Sequence, residues 1–114
     1  MVHKTEDMPH LFRENLRGGH GPVETDVVYG PEDLAGKATL FNHMTVKPGS
    51  SIGRHAHVQD AEIYYVLEGE VVVDDDGKEV TMHKGDAMFT SRGEHHSLEN
   101  RSDRDAVVLA IVIA

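Results

Sequence analysis

The chain has 114 residues, enough for one domain but too few for a second hydrophobic core. Its 20 acidic and 11 basic residues give a net charge of −9, and a surface of this charge repels phosphate backbones and anionic lipid. The absence of cysteine excludes disulfides, thiolate metal sites and cysteine nucleophiles. These properties predict neither a nucleic-acid partner nor a membrane partner; a small-molecule ligand is the partner expected from the histidine-containing motifs of the chain.

The composition also predicts a cellular location. A domain without cysteine is compatible with a reducing compartment. The first residues lack the basic and then apolar pattern of a signal peptide. The longest apolar run, 106–114, is about half as long as a membrane-spanning helix. We therefore expect a cytoplasmic protein.

The predicted elements begin with an N-terminal arm, residues 1–36. This segment holds three of the four prolines and a glycine-rich turn at 18–22, so we expect it to be loosely organised. A short strand is predicted at 23–29. We expect the arm to pack on the rest of the domain or on a partner subunit, and residues 37–114 to form the single folded domain.

Residues 37–114 predict an all-β fold. Turn signals recur about every 8–12 residues, which is typical of an antiparallel sandwich or barrel. Valine outnumbers leucine by 14 to 7, and β-branched residues favour strands. The run Asp74-Asp75-Asp76-Gly77 predicts a hairpin turn. The predicted strands are 38–46, 62–68, 70–73, 80–82, 87–90, 96–98 and 106–113.

Histidines are the first candidates for chemistry, since there are nine of them and no cysteine. His55 and His57 are two residues apart, so on a strand both side chains point to the same face. Glu62 starts the next strand after a short bend, and the later segment Gly93-Glu94-His95-His96 offers a fourth ligand. Three imidazoles and a carboxylate suit a divalent transition metal and leave two positions for a substrate. A His-x-His pair alone is more often a pair of exposed histidines.

The longer spacing resembles the two sequence motifs of the cupin family. The first motif is matched by Gly49, His55, His57, Glu62 and Gly69, and the second by Gly85, Gly93, His96 and Asn100. Ser91 stands where the second motif has proline, so nine of ten positions agree. Flanking segments such as Arg17-Gly18-Gly19-His20-Gly21 and Glu62-Ile63-Tyr64-Tyr65 resemble small prokaryotic single-domain cupins of the oxalate-decarboxylase-like group.

The resemblance implies a jelly-roll barrel, or double-stranded β-helix, with a metal ion in its wide mouth. The metal ligands implied are His55, His57, Glu62 and His96, and the ion is Mn, Fe, Ni, Co or Zn. The motif glycines are expected in turns. The serine at position 91 affects a turn and not a ligand, although it removes a rigid residue ahead of the ligand strand.

Several residues near the motifs have two interpretations. Tyr64 shares strand parity with Glu62 and is expected to line the cavity with Val66, either as a polar contact for substrate or as a core tyrosine. His43 faces either the cavity or the opposite side. Tyr64 and His43 are the candidate catalytic residues. His95 is expected to point away from the metal, and Arg54 meets either an anionic substrate or solvent.

Three classes of function fit these residues. The first is a metal-dependent enzyme acting on a small chelating carboxylate, keto or sugar-derived substrate: an isomerase, lyase, decarboxylase or dioxygenase. The second is a non-catalytic module that binds or senses a metal or a small acid. An inert structural domain is disfavoured, because unused buried ligands carry a desolvation cost. Oxalate decarboxylation itself is disfavoured, because the family's oxalate enzymes have two cupin domains and an acidic lid.

The last predicted strand indicates how the chain assembles. Residues 107–113 are apolar at every position, whereas a strand with one solvated face alternates apolar and polar residues. The N-terminal arm could cover part of the second face. A second subunit is the better cover, because exposed apolar patches of this length are rare on monomers. We therefore expect a homodimer that buries alternate residues of this strand.

Overall fold

In the computed structural model, which describes all 114 residues, ten antiparallel strands form two sheets. The strands are β1 (His10–Glu14), β2 (Pro22–Tyr29), β3 (Ala38–Val46), β4 (Ser51–Ala56), β5 (Ala61–Glu68), β6 (Glu70–Asp75), β7 (Lys78–His83), β8 (Ala87–Thr90), β9 (His95–Glu99) and β10 (Ala106–Ile113). Helical structure is confined to three short 3₁₀ turns, Thr5–Asp7, Leu16–Gly18 and Pro31–Asp33. None of them is long and apolar enough to span a membrane.

The two sheets form a jelly-roll β-barrel, as the sequence predicts. The larger sheet has the order β1-β2-β3-β10-β5-β8, and the smaller sheet has the order β4-β9-β6-β7. The predicted strands 38–46, 87–90 and 106–113 coincide with β3, β8 and β10. The predicted hairpin lies between β6 and β7, where Asp76 and Gly77 both have positive φ.

The N-terminal segment is more ordered than its composition indicates. β1 pairs with β2, and β2 pairs in turn with β3, so residues 10–29 extend the larger sheet. Val23 of β2 lies opposite Val46 and both are fully buried. The prolines at 9, 22 and 31 lie outside or at the start of these strands, where their missing N–H is tolerated. The loose organisation expected for this segment is therefore wrong for residues 10–29.

The core lies between the two sheets and is built by strict alternation along the strands. In β10 the residues Ala106, Val108, Ala110 and Val112 are buried, and the intervening side chains face the outer surface of the larger sheet. Alternation on β3 turns Leu40, Asn42 and Met44 inward, where they line a cavity at one end of the barrel. The candidate site lies in this cavity.

Candidate metal centre

Four side chains from the two cupin-like motifs meet at the inner wall of the cavity. The ligating atoms of His55, His57, Glu62 and His96 all lie within 4.8 Å of one another. His57 Nε2 is 2.9 Å from Glu62 Oε1 and 3.2 Å from His96 Nε2. His96 Nε2 is in turn 3.1 Å from His55 Nε2 and 3.1 Å from Glu62 Oε1. The structure therefore brings together all four residues predicted as metal ligands.

The two sheets supply different members of this cluster. His55 in β4 lies opposite His96 in β9, within the smaller sheet. Glu62 belongs to β5 of the larger sheet, and His57 follows the end of β4. The β4–β9 pairing is irregular between Ile52 and His55, so these two residues, an odd number apart, both face the cavity. The irregularity at Gly53 and Arg54 thus sets the direction of the first ligand.

Each histidine of the cluster is oriented by a hydrogen bond on its other ring nitrogen. His55 Nδ1 donates to the carbonyl oxygen of Gly53 over 2.8 Å, and His57 Nδ1 donates to Asp60 Oδ1 over 2.7 Å. His96 Nδ1 lies 2.7 Å from the hydroxyl of Thr90. With the proton on Nδ1, each Nε2 carries a lone pair directed at the cluster.

This donor set fits a divalent cation. Three lone pairs and a carboxylate oxygen repel one another at these separations unless a positive charge lies between them. Two ligands at right angles around an ion, each about 2.0–2.2 Å from it, lie about 2.8–3.1 Å apart. The separations of 2.9 and 3.1 Å lie within that range, and the separation of 3.2 Å is just above it.

Burial keeps the first ligand in the form that binds metal. Removal from water lowers the pKa of His55 below its ordinary value, the largest effect on this group. The bond to Gly53 opposes the shift, while His96 and Arg17 add to it. The imidazole of His55 is therefore neutral at neutral pH and free to bind a cation through Nε2.

Tyr64 lies beside the cluster, as the strand parity predicts. Its ring stacks on that of His96 at a centroid distance of 4.8 Å, and its hydroxyl lies 3.5 Å from His96 Nε2. Burial raises the pKa of Tyr64 well above its ordinary value, and Glu62 adds to the shift. The hydroxyl is therefore protonated and faces the cavity as a hydrogen-bond donor. Val66 is fully buried in the core and does not line the cavity, contrary to expectation.

The other candidate residues lie outside the cavity. His43 is on the outer face of β3, 3.8 Å from Asp26, so the structure does not bring it to the site. Arg54 pairs with Asp74 and contacts His95 on the outer face of the smaller sheet. His95 points away from the cluster, as predicted, and lies 2.8 Å from Asp76.

Sequence reasoning missed several residues at or next to the site. Asp60 and Thr90 orient two of the ligands, and neither belongs to a motif. Arg13 and Arg17 line the cavity from the N-terminal segment, which the strand pattern indicated as a separate arm. For Arg17 a signal was present, because the segment Arg17-Gly18-Gly19-His20-Gly21 resembles the flank of related chains.

The cavity itself is small and mostly apolar. Its volume is about 150 Å³, a size that accommodates a benzene-sized molecule in other proteins. The apolar part of its wall is formed by Leu16, Leu40, Met44, Ile52, Ala110 and Val112. Thr25, Asn42 and Tyr64 are its uncharged polar side chains. The site therefore fits a compact ligand of few atoms.

Fold and site together define a jelly-roll protein with a three-histidine, one-glutamate cluster in the barrel mouth. A family model described as "Cupin domain" matches residues 42–112. The oxalate-binding protein of Thermotoga maritima is 46% identical over 113 residues, which cover 99% of this chain and 93% of that protein. The chain belongs to the cupin family.

Solved structures agree with this assignment. A crystal structure described as a predicted oxalate decarboxylase from Thermotoga maritima superposes with a TM-score of 0.95 at 42% identity, covering 99% of this chain and 98% of the other. The polyketide cyclase RemF from Streptomyces resistomycificus gives a TM-score of 0.75 at 25% identity, covering 99% of this chain and 78% of the other. Relatives of one fold thus carry different functions, so function is argued from the site.

Proposed function

We propose that this cupin binds one divalent transition-metal ion through His55, His57, Glu62 and His96, and that it acts on a small, oxygen-rich, chelating substrate. The observation that carries the proposal is the convergence of three imidazoles and one carboxylate beside a small cavity, with all four ligating atoms within 4.8 Å of one another. An ion held there would polarise a carboxylate or carbonyl oxygen of the substrate. The reaction classes that use such polarisation are isomerisation, lyase chemistry, decarboxylation and dioxygenation.

The chain's own contribution to such a reaction is orientation and hydrogen bonding. The buried hydroxyl of Tyr64 is protonated and can donate to a substrate oxygen that carries developing negative charge. The apolar wall excludes water, which strengthens each polar contact made inside. Tyr64 is therefore the residue that we place in contact with the substrate.

A second candidate function, non-catalytic binding of a small acid, is favoured by what lines the cavity. Apart from His55, His57 and Glu62 of the cluster, the titratable side chains there are Arg13, Arg17 and Tyr64. The arginine side chain has no acceptor atom, and burial keeps the proton on the Tyr64 hydroxyl, so none of the three accepts a proton from a substrate. A relative described as an oxalate-binding protein supports the same alternative. If the ligand itself supplies no base to accept a proton, we expect the site to bind the acid without converting it.

Metal analysis tests the shared basis of both functions. Purified protein, stripped with chelator and reloaded separately with Mn, Fe, Ni, Co or Zn, should bind about one ion per chain. His57→Ala and His96→Ala should each weaken binding at least about tenfold. His95→Ala is the matched control, since it alters the neighbouring residue of the same strand and should bind as the wild type does. Stoichiometric binding in the His57→Ala/His96→Ala double variant would overturn the site.

A ligand screen separates enzyme from binding module. Metal-loaded protein is titrated with oxalate, malonate and other small carboxylates, and carbon-13 NMR follows each compound over hours. Turnover that is lost in Tyr64→Phe, with metal binding retained, supports the enzyme. Saturable binding of an acid that is recovered unchanged supports the binding module.

We also propose that the chain forms a homodimer through the outer face of the larger sheet. A row of apolar residues crosses four neighbouring strands there: Phe41, Ile111, Ile63 and Phe89. Phe89 is 56% exposed, and Tyr65 on the same face is 42% exposed. The N-terminal segment extends this sheet at its edge and does not cover the row, which leaves a second subunit as the cover.

A further inference from the structure

Two arginines from outside the metal motifs line the cavity beside the metal cluster. Arg13 belongs to β1, and Arg17 lies within the 3₁₀ turn Leu16–Gly18. Neither guanidinium forms an ion pair, whereas Arg54 and Arg101 on the outer surface do. Unpaired positive charge at the cavity of a chain with net charge −9 indicates a ligand that carries negative charge.

The turn that carries Arg17 is fixed in an uncommon conformation. Arg17 has φ 56° and ψ 32°, in the left-handed region that costs a residue with a Cβ about 1–2 kcal/mol. Two glycines allow the turn to lie directly on β4. A Cβ on Gly53 would overlap the carbonyl oxygen of Arg17, and a Cβ on Gly19 would overlap that of Ser51. The strained turn is thus held against the strand that bears His55.

Hydrogen bonds secure the end of the same turn. The N–H of Ser51 donates to the carbonyl of His20 over 2.7 Å, and the N–H of His20 donates to the Ser51 hydroxyl over 2.9 Å. The base of the Arg17 side chain is therefore fixed relative to the metal cluster. Fixing a long side chain in this way reduces the entropy that it loses on binding a ligand.

The cavity places Arg17 beside the cluster. Arg17, His55 and Tyr64 all line the same cavity. His55 lies on β4 and Tyr64 on β5, so the cavity is bordered by both sheets and by the turn that carries Arg17. Arg17 therefore borders the space that a ligand of the cluster would occupy.

We propose that Arg17, assisted by Arg13, binds an anionic group of the ligand whose other end occupies the metal cluster. This inference rests on the proposed function and names its substrate class: a compact organic dianion such as a short dicarboxylate. A guanidinium pairs with a carboxylate through two parallel hydrogen bonds, which fixes both distance and orientation. A neutral sugar is a poorer fit, because its many hydroxyl groups need many uncharged hydrogen-bonding partners. The wall offers three such side chains, those of Thr25, Asn42 and Tyr64.

Calorimetric titration tests the role of Arg17. Oxalate and malonate are titrated into wild type, Arg17→Gln and Arg17→Lys. Acetohydroxamic acid, which chelates as a monoanion and has no second anionic group, is titrated for comparison. Arg17→Gln should weaken dianion binding about tenfold, the loss of a charge-assisted pair, and leave the binding of acetohydroxamate unaffected. Arg17→Lys should recover part of the loss, since charge returns without the fork geometry. Arg54→Gln, on the outward side of β4, is the control and should bind as the wild type does.

A glycine variant separates ligand binding from folding. Arg17→Gly relieves the left-handed backbone, so it should be as stable as the wild type or more so, and yet bind dianions as weakly as Arg17→Gln. Equal dianion affinity in wild type and Arg17→Gln would overturn the inference, and so would an equal loss of affinity for acetohydroxamate. Titrations of metal-free protein should show the same Arg17 dependence at weaker affinity. Failure of the wild type to bind metal would count against the proposed function alone.

Discussion

The carboxylate of Asp60 lies 2.7 Å from Nδ1 of His57, while Nε2 of the same ring lies 2.9 Å from Glu62. Asp60 is three residues beyond His57 in the loop after β4 and is outside the metal cluster. By accepting a hydrogen bond from Nδ1–H, Asp60 fixes the tautomer that presents the Nε2 lone pair to the cluster, and it makes Nε2 more basic. A residue outside the cluster thus determines how one of the ligands is oriented.

The first prediction follows from this contact. Asp60→Asn should weaken metal affinity about 10–100-fold, the usual cost of losing a carboxylate partner of a ligating histidine. Competition against a chelator of known affinity measures the change. The matched control is Asp76→Asn, which alters an equivalent carboxylate 2.8 Å from His95, outside the site. Equal metal affinity in the two variants would contradict the orienting role of Asp60.

The second prediction concerns Asn100, the last motif residue, which is fully buried. Its Nδ2 donates to the carbonyls of Val46 and Arg104, and its Oδ1 accepts from the N–H and hydroxyl of Ser102. Asn100→Ala removes all four hydrogen bonds, two of them to the buried amide from Ser102, and should lower the free energy of unfolding by about 2–4 kcal/mol. Urea unfolding of metal-free protein measures it, and Ser102→Ala should cost about 1 kcal/mol. If the free energy of unfolding of Asn100→Ala equals that of the wild type within experimental error, the turn forms without the side-chain amide of Asn100.

The third prediction is a pH dependence of stability. The hydrogen bond to Asp26 raises the pKa of His10 above the ordinary histidine value of 6.5, and Glu24 adds to the shift. The His10–Asp26 pair therefore contributes its full stabilisation below pH 6.5, the pKa of histidine in the unfolded chain. This stabilisation is lost as the pH rises through the higher pKa of His10 in the folded protein. His10→Ala should lower the melting temperature at pH 5.5 and have little effect at pH 9. His20→Ala, an exposed histidine with no ion pair, should show no such difference; an equal effect of His10→Ala at both pH values would contradict the linkage.

The fourth prediction tests the proposed dimer. Light scattering across a dilution series in the micromolar range should give twice the 12.6 kDa chain mass for the wild type. Ile111→Lys places a charge in the middle of the apolar row and should give the monomer mass. Val72→Lys makes the same change on the outer face of the smaller sheet and should remain dimeric. A monomeric wild type would mean that the row faces water.

Turn spacing was enough to predict an antiparallel sandwich or barrel, and the resemblance to the cupin motifs implied the jelly roll and the four residues of the cluster. Parity predicts one face for His55 and His57, which are two residues apart, and the motif spacing adds Glu62 and His96. The same rule correctly turns His95 outward. The positive φ of Gly49, Gly69, Gly85 and Gly93, between 73° and 90°, agrees with the turns that the motifs imply.

Parity could not predict contacts that depend on the path of loops and on long-range pairing. His43 had no fixed reference on its strand until the pairing of β3 with β10 placed it opposite Leu109, on the outer face. Arg17 reaches the site because Gly53 allows a distant turn to approach β4 closely. Ser91 was expected to loosen its turn. Instead its N–H and hydroxyl both donate to Glu94 Oε1 over 2.9 Å, a local bond that replaces the rigidity of proline.

The division of the ligands between two sheets gives a bound ion a mechanical role in addition to its chemical one. Glu62 is fixed to the larger sheet, and His55 and His96 to the smaller one, so an ion held by all of them is a non-covalent cross-link at the open end of the barrel. Separation of the sheets at that end would require release of the ion. Local opening of the barrel and exchange of the metal are therefore coupled processes. We therefore expect chelation to accelerate amide hydrogen exchange in β4 and β9 while leaving the hairpin of β6 and β7 largely protected. The lifetime of the ion in the protein would then be set by the opening of the barrel.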